Sequence, residues 1–181
     1  MAPGRMPEPC VLAIFGASGD LTRRKLVPAI WHLQQQSRLP DSFALLGLGR
    51  RDMDDDAFRA QMRDGIREFV GDVDADDLQQ FLGKLYFFSM DPAVPADFAR
   101  LADRLRGLDA ELATGGNRCF YCSVPPATYL DIVNCLGNAG LNREHEDGNG
   151  WSRIIVEKPF GNDLESARQL NRALHDVFGE H

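Results

Sequence analysis

The sequence predicts a doubly wound α/β domain, a mostly parallel sheet with helices on both faces. Five short apolar runs rich in β-branched or aromatic residues recur along the chain: "CVLAIF" (10–15), "FALLGL" (43–48), "KLYFFSM" (84–90), "RCFYCSV" (118–124) and "SRIIVEK" (152–158). Each is followed by a longer amphipathic segment, and these begin near Thr22, Asp54, Pro95, Pro126 and Asn162. Near-continuous apolar strands alternating with helices describe a parallel sheet whose two faces are both covered, because the crossovers lay helices on each side.

Taken in order, "CVLAIF" reads as a buried strand, and Leu26, Ile30 and Leu33 fall at helical spacing in the segment after it. The second strand, 43–48, is followed by residues 54–82, where Gly71 interrupts the pattern and divides it into two helices. The third, fourth and fifth strands each feed one helical segment. The polar, glycine-bearing stretch "NREHEDGNG" (142–150) is the one loop that suggests an insertion, and it is expected to be mobile. Residues 10–181 form one domain in this reading, preceded by a flexible tail over 1–9.

Composition bounds the function. The 181 residues are 44% hydrophobic and 26% charged, as in an ordinary soluble globular protein. A formal charge of −7 argues against a nucleic-acid partner, which needs Lys and Arg clustered over a net basic face. No apolar run approaches membrane-spanning length, and "MAPGRMPEPC" has no apolar segment of the kind a secretory signal carries, so no membrane association and a cytoplasmic protein are expected. Cys10, Cys119, Cys122 and Cys135 fit that compartment. The C-x-x-C formed by Cys119 and Cys122 lacks a second ligand pair for a metal, and on a strand the two point to opposite faces, so quiet, buried thiols are expected and no metal.

In such a sheet, ligands sit outside the carboxyl ends of the strands. The first such place is "GASGDL", where Gly16 lets the chain turn off the strand and Gly19, without a side chain, admits a pyrophosphate to the start of the next helix. It is not a P-loop, since no G-K-[ST] follows, and it departs from G-x-G-x-x-G because Thr22 stands where the third glycine would be. A tight βα turn without a ligand remains the alternative. The second place is "GLGRRD". A free ribose diol calls for Asp or Glu at this strand end and a 2′-phosphate for arginine, so Arg50 and Arg51 favour NADP, with NAD as the alternative. The competing reading lets an arginine offset Asp52, Asp54, Asp55 and Asp56. The third place is "IIVEKPFGN", where Lys158, stiffened by the following proline, can hold a cation over a cleft; the alternative is a solvated Lys158 beside a paired Glu157. Of the chain's three lysines, Lys25 and Lys158 fall at strand-to-helix junctions and Lys84 does not.

Together, "FGASGDLTRRKLVPAIWHL", "GLGRRD", "FYCSVPPATY" and "RIIVEKPFGN", in this order, make the chain resemble the N-terminal NADP-binding domain of the glucose-6-phosphate dehydrogenase family from about residue 10 onward. The resemblance implies a Rossmann-like fold. It also implies oxidation of glucose 6-phosphate at C1 to the lactone with NADP as hydride acceptor, in the oxidative pentose phosphate pathway of glucose metabolism. On this resemblance Gly16, Ser18, Gly19, Asp20 and Leu21 wrap the cofactor and Arg50 meets the 2′-phosphate. Asp91, Pro92, Ser123, Val124 and Pro126 line the cleft, Lys158 reaches both cofactor and sugar as the catalytic lysine, and Lys25 lies on the sugar side.

The family's general base is a histidine in an "R-I-D-H-Y-L-G-K" segment, and this chain stops at "FGEH" before any such segment. His32, His145, His175 and His181 match none of the family's catalytic positions. The family's second domain, which completes the substrate pocket and carries the contacts of a homodimer or homotetramer, has no counterpart in these residues, so a monomer inactive by itself is expected. Two alternatives stand beside this reading. One is another sugar or polyol oxidoreductase with E-K-P after its cofactor domain, which the G-D-L motif and the long interval from Gly16 to Glu157 disfavour. The other is a non-catalytic NADP-binding module.

Overall fold

A computed structural model describes residues 6–144, 150–161 and 163–179. Five strands, β1 (Cys10–Phe15), β2 (Phe43–Gly49), β3 (Leu85–Ser89), β4 (Arg118–Cys122) and β5 (Ser152–Val156), form one sheet in the order β3-β2-β1-β4-β5. Every neighbouring pair is parallel. The strands lie where the apolar runs predict them, and the order reverses at β1, whose carboxyl end therefore opens a crevice between its own connection and that of β4.

Helices α1 (Val27–Gln35), α2 (Asp55–Phe69) and α3 (Ala75–Leu82) cover one face, and α4 (Pro95–Leu112), α5 (Tyr129–Asn138) and α6 (Leu164–Val177) the other. Side chains along β1 alternate between them: Val11, Ala13 and Phe15 join Phe98, Leu101, Phe120 and Ile132, while Ile14 joins Trp31, Phe58, Phe81 and Phe87. Aromatic pairs anchor both layers, with Phe15 6.0 Å from Phe98 and Trp31 edge-on to Phe81 at 5.4 Å between ring centres.

Local chemistry sets the helix starts. Asp54 accepts from the Ala57 N–H at 2.8 Å, Asp74 from those of Asp76 and Asp77, and Asp163 from that of Ser166 in a reciprocal cap. The division of 54–82 into two helices occurs as the glycine predicts, at the gap between Phe69 and Ala75. After Pro126 the chain first makes a 3₁₀ turn, Pro126–Thr128, and only then α5.

Ile30 and Leu33 lie on one helix as their spacing predicts; Val27, Pro28, Ile30 and Trp31 form its buried stripe and Leu33 is 38% exposed. Three expectations are corrected. A π-helical turn, Thr22–Leu26, precedes α1, with the Val27 N–H bonded to the Thr22 carbonyl. Pro28 has no N–H to give Arg24 and its ring crowds that carbonyl, and the wider turn absorbs both effects. The sheet is also not covered on both faces throughout. Over β4 and β5 on the α1–α3 side, Arg153 and Ile155 are exposed and Tyr121 is half-buried, because among the described residues no helix follows β5 onto that face. Thirdly, "SRIIVEK" is a strand only to Val156, so Glu157 and Lys158 lie in the loop beyond it.

Near the amino terminus, the Trp151 indole N–H donates to Glu8 and the Asn117 amide to the Pro9 carbonyl, each at 2.8 Å. Residues 145–149, within the stretch singled out as an insertion, lie outside the described residues, as do His145 and His181 and the expected helix start at Asn162.

Candidate functional site

Because all five strands are parallel, their carboxyl ends share one edge, and every candidate group but Lys25 follows one of them directly. At β1 the chain leaves Phe15 through Gly16, whose φ of 81° lies in the left-handed region. Its N–H and that of Ala17 both donate to the Leu48 carbonyl, at 2.9 and 3.1 Å, which pins the turn across β2. A Cβ at Gly16 would stand 2.2 Å from the Ser123 carbonyl oxygen and 2.9 Å from Val124 Cγ1. Ser123 in turn donates its N–H to the Phe15 carbonyl at 3.0 Å. The ends of β1 and β4 are thereby closed against each other at the point where strand order reverses.

Gly19 is different. It is exposed, and the one atom within reach of a Cβ there is the Gly16 carbonyl oxygen at 3.0 Å, which already accepts the Gly19 N–H. Open space therefore lies over Gly19 at the start of the helix entered at Asp20, whose first N–H groups no side chain caps. A cradle that a side chain would fill, at an uncapped helix start, suits the pyrophosphate of a dinucleotide. Ser18 is half-buried beneath it and Leu21 is 40% exposed. Asp20 pairs with Arg24 at 3.1 Å, and Arg23 with Glu68, both guanidinium groups lying 5.3 Å from the Phe69 ring centre. Lys25 is exposed in the same π-helical turn and makes no ion pair among the described residues.

At the end of β2, Arg50 and Arg51 are exposed, and neither forms an ion pair among the described residues. The acidic run is satisfied otherwise: Asp54 caps α2, Asp55 faces Arg59 and Arg104 at 3.9 and 3.6 Å, and Asp56 binds Arg59 at 3.1 Å. The loop that carries the two arginines is fastened by Ser89, whose hydroxyl donates to the Arg51 carbonyl at 2.6 Å.

After β3, Asp91 and Pro92 form a turn into α4. Asp91 Oδ1 accepts from the Ala93 N–H at 3.0 Å and the Asp91 N–H donates to Asp97 at 2.8 Å, so this carboxylate has a structural task of its own. After β4, Ser123 and Pro126 are half-buried and Val124 packs on the α4–α6 core.

After β5, Glu157 is held by a tyrosine of the neighbouring strand. The Tyr121 hydroxyl donates to its carboxylate, and burial raises the pKa of the neighbouring Tyr129, which is fully buried. Burial, and then the hydrogen bond to Glu157, raise the Tyr121 pKa, so this phenol stays a donor. Lys158 follows, exposed, with a cis peptide bond to Pro159. Gly161 closes the segment at φ 113°, and a Cβ there would stand 2.6 Å from Ser166 Oγ and 2.9 Å from the Ala167 nitrogen, so the chain lies flat against the first turn of α6.

The sequence reading missed Ser89, Tyr121 and Gly161. Glycine two residues after a proline was visible for the last; the others depend on cross-strand neighbours that one chain does not announce. Burial pushes the Cys122 thiol up to about 12 and that of Cys10 to about 11, and it also raises Cys119 and Cys135, in keeping with chemically quiet cysteines. Among the described residues no group of His, Cys, Asp and Glu could hold a metal, and no helix is long and apolar enough to cross a membrane. A hollow of about 470 Å³ lined by Phe160, Arg168, Leu170 and Leu174 runs along α6, and not over the ends of β1 and β4.

Comparison with known proteins agrees with this geometry. A family model described as glucose-6-phosphate dehydrogenase, NAD binding domain, matches residues 13–181. The glucose-6-phosphate 1-dehydrogenase of Aggregatibacter actinomycetemcomitans is 44% identical over 174 residues, 96% of this chain and 34% of its own. That of Chlamydia pneumoniae is 38% identical over 97% of this chain and 35% of its own. A solved glucose-6-phosphate dehydrogenase in complex with its substrate glucose-6-phosphate superposes at a TM-score of 0.82 with 29% identity, over 99% of this chain and 36% of that one. The crystal structure of glucose-6-phosphate 1-dehydrogenase from Mycobacterium avium gives 0.77 with 29% identity, over 94% of this chain and 34% of that one. The chain thus spans about a third of the length of these relatives. It belongs to the glucose-6-phosphate dehydrogenase family, and what it holds is the family's NAD binding domain.

Proposed function

We propose that this chain is the cofactor-holding part of a cytoplasmic, NADP-dependent glucose-6-phosphate 1-dehydrogenase. The observation that carries the reading is the crevice at the switch point, where Gly16 is locked on Ser123 while the space over Gly19 stays open. In this reading the dinucleotide pyrophosphate lies over Gly19, against the N–H groups of the helix start, and Ser18, Asp20 and Leu21 flank it. Arg50, free of the acidic run beside it, takes the 2′-phosphate, and Asp91, Pro92, Ser123, Val124 and Pro126 wall the cleft.

NADP, when bound, accepts a hydride at its nicotinamide. Lys158 offers a fixed cation at the mouth of the cleft, positioned through Glu157, and serves both cofactor and glucose 6-phosphate, with Lys25 on the sugar side. Neither His32 on α1 nor His175 on α6 stands at a strand end, so abstraction of the C1 hydroxyl proton falls to a group outside the described residues. Pairing into a homodimer or homotetramer is assigned to the whole protein, and a monomeric state to this portion.

Calorimetric titration of the 181-residue chain with NADP and then NAD, beside an assay of glucose 6-phosphate oxidation, tests the reading. Tighter binding of NADP with no turnover is expected. Absence of binding to either cofactor, or turnover by these residues alone, contradicts it.

A further inference from the structure

We propose that Ser89 governs the preference for NADP over NAD by holding the loop that bears Arg50 and Arg51. The inference rests on the assignment of those arginines to the 2′-phosphate. Ser89 is the last residue of β3, registered against Gly49 at the end of β2, so its side chain stands beside the loop that leaves β2. Its hydroxyl donates to the Arg51 carbonyl at 2.6 Å and receives a longer contact, 3.4 Å, from the Met53 N–H.

The loop's other fastenings are at its two ends. Met90 donates its N–H to the Gly49 carbonyl at 2.9 Å before the arginines, and Asp54 caps α2 after them. Between these, Arg50, Arg51 and Asp52 are exposed. One hydroxyl therefore joins the middle of the loop to the sheet, using its donor on one peptide group and its acceptor on another. Without it, two adjacent guanidinium groups of like charge sit on a backbone anchored only at its ends. That backbone must then be ordered on binding a phosphate, at a cost in conformational entropy, instead of being ordered beforehand. A cofactor without the 2′-phosphate makes no use of the arginines and gains nothing from the clamp, so the effect is on discrimination and not on binding in general.

The test is calorimetry of the whole chain and its Ser89→Ala and Ser89→Thr variants with NADP and with NAD, each variant first checked by thermal melting. Loss of one hydrogen bond that organises the site corresponds to a fall of about 2- to 12-fold in NADP affinity for Ser89→Ala. NAD affinity is expected to stay level, and Ser89→Thr to restore the preference. Hydrogen exchange at Met53 without cofactor gives a second readout, and it is expected to quicken in Ser89→Ala. Unchanged exchange, an unchanged preference, or equal loss for both cofactors overturns the role of Ser89. A parent chain that shows no preference for NADP overturns instead the assignment of the arginines, and this proposal with it, a result distinguishable from failure of the clamp alone.

Discussion

Gly16 and Ser123 touch so closely that no side chain fits between them: a Cβ at Gly16 would come within 2.2 Å of the Ser123 carbonyl oxygen. The contact joins the loops after β1 and β4, the two strands flanking the crevice, and it separates the tasks of the two glycines in the opening turn. Gly16 builds the crevice, and Gly19 leaves it open.

That separation predicts opposite phenotypes. Gly16→Ala combines a left-handed backbone with a collision against backbone, and is expected to cost about 2–5 kcal/mol of stability in urea denaturation. Gly19→Val is expected to stay within about 1 kcal/mol of the parent yet lose NADP binding, because its side chain occupies the open space. Retained affinity in Gly19→Val would show that the cofactor does not cross this turn.

Arg50→Ala is expected to weaken NADP by roughly 10- to 150-fold, the worth of a charge-assisted hydrogen bond, while NAD affinity changes little. Competition binding with both cofactors checks this. Equal loss would remove Arg50 from the phosphate site.

All three tyrosines, Tyr86, Tyr121 and Tyr129, have raised pKa values, with burial the largest cause in each. For Tyr121 the hydrogen bond to Glu157 adds to it. The folded chain therefore holds protons that the unfolded chain releases near pH 10, so their contribution to stability is complete below that pH and is lost as the pH rises above it. Ultraviolet titration should show phenolate appearing later in the folded chain than in urea. In Tyr121→Phe, where Glu157 loses its donor, stability at neutral pH is expected to drop by about 1–2 kcal/mol. Coincident folded and unfolded titration curves would refute the buried phenol network.

Gly161→Ala sets a side chain against Ser166 and Ala167 at the capped start of α6. Overpacking and a positive φ together make a loss of about 2–5 kcal/mol the expected result. Denaturation of this variant beside Gly71→Ala, where a Cβ would have nothing within 4 Å, separates the packing cost from the backbone cost.

The strand runs and their alternation with helices were legible because burial on both faces leaves a mark on each residue, as in the seven buried residues of β2. The positions of the turn glycines and of Arg50 on the carboxyl edge of the sheet were legible because each comes directly after a strand. The π-helical turn before α1 was not legible, because apolar spacing alone does not mark a wider turn ahead of Pro28. Ser89 and Tyr121 were hidden for another reason. Each acts on a segment 36 to 38 residues away, through partners that only the sheet order brings alongside.

A crystal structure of this chain grown with NADP tests the central claim most directly. The account predicts the pyrophosphate over Gly19 at the helix start and the 2′-phosphate within hydrogen-bond distance of Arg50. A dinucleotide bound elsewhere, such as the hollow between Phe160 and Arg168 along α6, would contradict it.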